Sequence, residues 1–474
     1  MSERPDWTRM RREAPGWLKR DKFGLFFHWG VYSVPACENE WYSRNIYLKG
    51  SRQNLEHERR YGSISRFGYK DLIPAFKAEC FDPDAWADLV VKSGAKYAGP
   101  VAEHADNYSM WNSRINPVNS VRTGPRRDIV GECEEAFRRR GIRYLTTFHH
   151  QWLWGWFMST DPDADVYDPA NEVYYGPALP LETNRYQPYR LPDAAFYRIW
   201  LEKVKEVVRQ YRPDVLYFDG RLMILPEEVL YQAVSAYYEA VPEGIITYKQ
   251  RDLPEGIGLR DVECGRFTGV QEFFWQTDDR LEDKVTWCIV QEPRYKPAGR
   301  IIQQLADVTA KNGALLLNVG PRADGTFHPE AVRQLTRVGD WLAVNGEAIY
   351  GTEPFSVAGE GVTVSDEEDY NAERLRQQMK DGLALESGQY RLTGNDVRYT
   401  QTDSAIYVIG FGMPEDRTLR LAALRSGAAG ALRSAVMLGS GAEIEMQRDS
   451  GALMLRLPEQ LPFEEAYVIR LEKA

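Results

Sequence analysis

The chain has 474 residues, more than one ordinary hydrophobic core accommodates, so two domains are expected. A globular composition (43% hydrophobic, 27% charged) carries a net charge of −10, from 59 basic against 69 acidic residues, which argues against a nucleic-acid partner or an anionic polymer as substrate. Five scattered cysteines without a CxxC pair indicate neither a zinc site nor a disulfide framework, and the absence of any apolar run near eighteen residues or of an apolar core in the first twenty predicts a cytoplasmic protein with no membrane partner.

Apolar, β-rich runs alternate with helix-like segments over roughly the first 350 residues. The expected strands are Phe23–Trp29, Tyr97–Ala102, Ile142–His149, Val215–Asp219, Ile245–Tyr248, Leu259–Glu263, Thr286–Val290 and Ala314–Val319. Amphipathic helices are expected at Pro83–Ser93, Ala195–Gln210 and Pro329–Val344; in the second, Phe196, Ile199, Trp200, Lys203, Val204 and Val207 fall near a 3.6-residue period. Eight strands with intervening helices predict an α/β fold, a (β/α)₈-like TIM barrel over residues 1–354. After Gly351-Thr352-Glu353-Pro354 the pattern changes to short strands and turns, such as Val397–Thr400, Ala405–Ile409 and Ala466–Leu471. Residues 355–474 therefore read as a C-terminal antiparallel β-sandwich with an accessory or bracing role.

Polar and aromatic residues gather where the barrel strands end, the face on which such barrels build active sites. The first strand closes on His28-Trp29, with Glu40-Trp41 just beyond; His104 follows the second, and His149-His150-Gln151-Trp152 follows the third. Imidazoles and carboxylates bond sugar hydroxyls, and indole faces cover the C–H side of a ring, so His28, Glu40, Trp41, His104, His149 and Trp152 are candidates for contact with a neutral sugar. Each also has a plain structural reading, as a satisfied core histidine or a buried tryptophan. The fourth strand ends on Asp219-Gly220, a carboxylate with room beside it to attack an anomeric carbon, or alternatively a turn cap. Glu263, in Asp261-Val262-Glu263-Cys264-Gly265, is the matching proton donor if its pKa is raised; Glu272 and Glu292 compete for that role, and a surface ion pair is the ordinary alternative for all three. Asp161, Asp163, Asp165 and Glu172 match calcium-loop spacing, but Val166 stands where that loop needs glycine, so a solvated acidic loop is expected. No phosphate-binding glycine motif is present.

Several of these segments, in order, resemble the α-L-fucosidase family, glycoside hydrolase family 29. They are Phe23–Gly30 with Ser33-Val34-Pro35 and Glu40-Trp41-Tyr42; Gly94–Tyr97 through His104 and Asp106 to Trp111; Leu216–Gly220; Asn312–Pro321; and Trp341 with Asn345–Thr352. The resemblance implies a catalytic barrel with a C-terminal sandwich, no metal or other cofactor, a small oligosaccharide or glycoside as substrate, and a retaining double displacement. It implies Asp219 as nucleophile and His28, Glu40, Trp41 and His104 as sugar-binding residues; Glu263 is carried by the Asp-x-Glu-x-Gly segment of this chain. One departure stands out: where the family commonly reads Lys-His-His-Asp-Gly-Phe, this chain reads Glu103-His104-Ala105-Asp106-Asn107-Tyr108. Loss of that second imidazole at Ala105 bears on the choice of sugar, since a pocket built to bond a hydroxyl discriminates strongly. An exo-acting α-L-fucosidase is expected, with an α-L-glucosidase, an α-L-galactosidase or a non-catalytic sugar-binding protein as alternatives. Linkage preference and oligomeric state stay open.

Overall fold

The computed structural model describes residues 5–181, 190–249, 252–361 and 392–474. Eight parallel strands close into a barrel in sequence order. They are β1 (Phe23–Phe27), β2 (Tyr97–Glu103), β3 (Arg143–Phe148), β4 (Val215–Phe218), β5 (Ile245–Lys249), β6 (Leu259–Asp261), β7 (Trp275–Arg280) and β8 (Gly313–Asn318). Closure is made by β8 against β1, with Phe26 opposite Asn318. All five residues of β1 are buried, as expected where a parallel sheet is covered on both faces.

Helices α1 (Pro83–Ser93), α2 (Ile129–Arg139), α3 (Ala194–Tyr211), α4 (Glu227–Ala240), α5 (Ala298–Ala310) and α6 (Pro329–Asn345) are the long connections around the barrel. Their ends follow capping chemistry. Asp193 caps α3 by accepting from the Phe196 amide, and Arg212, in the left-handed region, ends it before Pro213. Proline opens α1 and α6 at the first position, where no amide donor is required. Among the described residues no long helix separates β5 from β6 or β6 from β7. That side of the barrel is thin, with Asp261 opposite Gln276 the sole register pair between β6 and β7.

The expected strand at Thr286–Val290 is a correction: the seventh barrel strand is Trp275–Arg280, and residues 286–290 lie in the loop that follows it. Strand β7 escapes an apolar pattern because, after Trp275, its buried side chains are polar and find partners on other elements. Gln276 donates to Asp261 at 2.6 Å, Tyr217 donates to Asp278 at 2.9 Å, and Lys296 pairs with Asp279 at 2.8 Å. A buried strand made of such groups has no hydrophobic signature to read.

The C-terminal region begins with β9 (Glu353–Glu360). It continues through β10 (Val397–Gln401), β11 (Ala405–Gly410), β12 (Thr418–Leu421), β13 (Leu432–Met437), β14 (Glu445–Arg448), β15 (Leu453–Arg456) and β16 (Tyr467–Lys473). A five-stranded antiparallel sheet, ordered β13-β16-β11-β10-β9, faces a three-stranded sheet ordered β12-β15-β14. Alternate residues such as Tyr399, Val408, Ile469, Leu419 and Leu455 form the apolar layer between them, the arrangement of a sandwich. This unit is locked to the barrel by buried polar contacts. Arg398 of β10 pairs with Asp307 of α5 at 2.5 Å, and Trp341 of α6 donates to the Ala466 carbonyl at 2.8 Å. No described helix is long and apolar enough to cross a membrane.

Candidate active site

The C-terminal ends of the barrel strands carry the charged cluster. Directly after β4, Asp219 is followed by Gly220 and Arg221, both with positive φ (61° and 58°), which turn the chain sharply away. The Arg221 guanidinium donates to the carbonyls of Trp152 and Trp154 at 3.2 and 2.8 Å and lies 5.2 Å from the Trp152 ring centroid. Trp152 in turn donates its indole N–H to the Asp219 carbonyl at 2.5 Å. The loops after β3 and β4 are thus stitched together around the carboxylate.

Lys249, the last residue of β5, is the hub. Its ammonium lies 2.7 Å from Asp219, 3.1 Å from Glu263 and 3.3 Å from Asp278. The two carboxyls nearest the barrel mouth respond in opposite directions. Burial pushes Asp219 up, but the Lys249 charge and His149 outweigh it and hold the carboxyl well below its usual range. Burial also raises Glu263, and the negative neighbours Asp278 and Asp219 offset the Lys249 attraction, so it rests at about 7. Lys249 itself is raised well above normal: burial alone would lower it, but the surrounding carboxylates dominate.

Three imidazoles form the opposite wall. The His104 ring centroid is 4.7 Å from that of His149 and 5.7 Å from that of His28. His149 approaches Asp219 at 3.2 Å through Nδ1, and its Nε2 is 3.1 Å from the Thr147 hydroxyl. Burial and the neighbouring His149 lower His28 to about 3, so its ring is neutral. The adjacent His150 turns away, bonding Glu103 in a buried pair completed by Lys203 at 2.9 Å, and takes no part in the cluster.

Glu40 accepts from the Trp287 backbone amide at 2.9 Å, and burial raises its carboxyl to about 7 against that bond. Trp41 lies between Trp152 and Trp156, at centroid distances of 5.9 and 4.7 Å, which gives the rim an aromatic wall. All of His28, Glu40, Trp41, His104, His149, Trp152, Asp219 and Glu263 therefore belong to one cluster at one end of the barrel. Glu272 does not: it is exposed in the loop that enters β7, whose neighbour Gln271 bonds Lys311 and Asn312 just before β8, at the other end of the barrel. Glu292 is exposed in the loop after β7.

Residue reading missed Lys249, Asp278, Trp287 and Asn318. Lys249 stands one position beyond the strand expected at Ile245–Tyr248, so the strand-end rule that found Asp219 applies to it equally. Trp287, expected within the strand Thr286–Val290, is a loop residue 5.5 Å from His28, centroid to centroid. Asn318, at the end of β8, bonds the His28 ring at 2.8 Å.

A barrel whose C-terminal rim sets carboxyls of opposed ionisation beside imidazoles and indole faces has the architecture of a glycoside hydrolase, and this chain is one. It belongs to the α-L-fucosidase family: that family's model matches residues 2–347, and the model of the α-L-fucosidase C-terminal domain matches residues 389–472. An α-L-fucosidase of Dictyostelium discoideum is 30% identical over 381 residues, covering 74% of this chain and 75% of that protein. Human tissue α-L-fucosidase is 28% identical over 98% of this chain and 91% of its own. Among solved structures, Thermotoga maritima α-fucosidase in complex with fucose superposes with a TM-score of 0.75 at 25% identity, covering 98% of this chain and 99% of that one.

Proposed function

We propose that the protein removes terminal α-L-fucosyl groups by a double displacement, with Asp219 as nucleophile and Glu263 as acid/base. The carrying observation is that both carboxylates bind the one Lys249 ammonium, at 2.7 and 3.1 Å. Carboxylates sharing a single ammonium have oxygens within roughly 6 Å of each other, which suits the about 5–5.5 Å of retaining enzymes rather than the wider gap that admits a water in inverting ones. The opposed pKa shifts match the division of labour. An ionised Asp219 attacks the anomeric carbon while a protonated Glu263 gives its proton to the departing oxygen; the C–O bond to the aglycone breaks as the glycosyl ester forms. Ionised Glu263 then takes a proton from water, whose oxygen replaces Asp219 at the anomeric carbon.

His28, His104, His149 and Glu40 supply polar contacts to the sugar hydroxyls in this reading, and Trp41 and Trp152 its apolar cover. Three imidazoles on the rim support retention of a hydroxyl-reading pocket despite Ala105, which is buried and so adds no opening of its own. Residues 1–354 form the catalytic unit and 355–474 its brace, supported by the buried Arg398–Asp307 pair across the two. Five cysteines without disulfides support a cytoplasmic location.

The decisive experiment offers the purified protein 4-nitrophenyl α-L-fucoside, α-L-galactoside and α-L-glucoside, with Asp219→Asn as control. Fast release from the fucoside, lost in the control, is expected. In Glu263→Ala, azide should restore turnover of an activated fucoside. Failure of that rescue would remove Glu263 from the role, and release from another L-sugar alone would overturn the fucoside assignment.

A further inference from the structure

His28, His104 and His149 each offer one ring nitrogen, and the three nitrogens lie within 4.8 Å of one another. All are deeply buried, at 4, 6 and 2% exposure. The hydrogen bonds of His28 and His104 leave a lone pair free on each ring. The Asn318 side-chain oxygen accepts from both the His28 amide and its Nδ1, at 3.1 and 2.8 Å, while the Asn318 amide nitrogen donates to the Trp287 carbonyl. That network makes His28 Nδ1 the protonated nitrogen and leaves Nε2 unprotonated. An oxygen acceptor that fixes the tautomer from behind is how proteins orient metal-binding histidines, and here the Asn318 side-chain oxygen takes that place. His104 Nδ1 is buried without a hydrogen-bond partner, while His149 Nδ1 pairs with the Asp219 carboxylate at 3.2 Å, a contact that an ion bridging the two groups replaces.

We propose that one divalent transition-metal ion of the class that favours imidazole, such as Zn²⁺, Cu²⁺ or Ni²⁺, binds among His28, His104 and His149 with Asp219 as an oxygen ligand, and that it excludes substrate. The exclusion rests on the glycosidase reading above; the binding does not. Zinc–nitrogen bonds of about 2.0–2.1 Å place tetrahedral ligand nitrogens about 3.4 Å apart, so these rings need to close by at most ~1.4 Å, a small side-chain rotation. Opposing this, the Lys249 ammonium holds the other oxygen of Asp219 at 2.7 Å and repels a cation. The ion is therefore a weakened, reversible inhibitor and not a resident cofactor. Mg²⁺ and Ca²⁺, which take oxygen ligands, are poorly served by three imidazoles.

The test titrates the full chain with Co²⁺ and follows its visible absorption, whose intensity reports tetrahedral coordination without requiring turnover. One equivalent is expected, displaced by Zn²⁺ and indifferent to Mg²⁺. Affinity should fall at least about 10-fold in His104→Asn and, as a second variant, in His28→Asn, each checked for folding by circular dichroism. Zn²⁺ over the same concentration range should suppress release from the aryl fucoside, with recovery on adding EDTA. An unchanged spectrum in both variants would put the ion elsewhere, for example at the exposed Cys80, and overturn the proposal; so would no binding below millimolar Co²⁺, or undiminished hydrolysis by the saturated protein. A protein that binds one Co²⁺ through these histidines yet never hydrolyses a fucoside would uphold the metal site and overturn the fucosidase reading instead.

Discussion

Lys249 controls both carboxylates through one charge, so its removal moves two ionisations at once. In Lys249→Met the loss of the ammonium raises Asp219 and Glu263 together. The acid limb of kcat/KM, set by an Asp219 now too acidic to observe, should rise into the measurable range, and the basic limb should move above its starting position. With the pair no longer held in register, kcat/KM should fall by about 10²-fold. In the unmodified protein kcat/KM for an aryl fucoside should decline above pH 7, because Glu263 must be protonated for the first step and rests at about 7. Glu40 also rests at about 7, and a Glu263→Ala protein assayed with a good leaving group separates the two: the limb vanishes if Glu263 causes it and persists if Glu40 does. Asp219→Asn should lower turnover by about 10⁴-fold or more without a change in the thermal midpoint.

Among elements, packing decides how close neighbours approach, and one glycine shows it. A Cβ added to Gly339 in α6 would sit 1.7 Å from the Lys92 carbonyl at the end of α1, so these helices touch backbone to backbone. Gly339→Ala must push them apart and should cost about 3 kcal/mol, read as a lowered midpoint in thermal or urea unfolding; an unchanged midpoint would mean the contact yields freely. Element boundaries were legible where apolar periodicity and caps coincide: α1, α3 and α6 lie within a residue of their expected limits. Strand β7 was not, since Gln276, Thr277, Asp278 and Asp279 are buried only because partners on β4, β6 and the following loop complete their bonds. Local pattern carries no record of partners far along the chain.

At the scale of the whole molecule, the sandwich and the barrel share a buried charge network. Asp307 binds both Lys311, one turn on in the same region, and Arg398 of β10, at 2.8 and 2.5 Å. Arg398→Met removes the inter-unit partner and leaves the buried carboxylate with Lys311. Stability should drop by about 3 kcal/mol while kcat/KM stays within twofold, as calorimetry and steady-state kinetics would show; a large activity loss would instead give the sandwich a role in shaping the site. By itself the sequence determined the α/β barrel, the sandwich and the strand ends on which Asp219, His28, His104 and His149 stand, because period, capping and the strand-end rule act over a few residues at a time. Only the tertiary structure decided that His149 and not His150 joins the imidazole cluster, that Glu272 lies at the far end of the barrel, and that Lys249 ties Asp219 to Glu263. Those outcomes depend on how eight separate strands register around a closed barrel, and a pKa shift or a shared ammonium exists only once distant charges have been brought within a few ångströms at a partly buried barrel mouth.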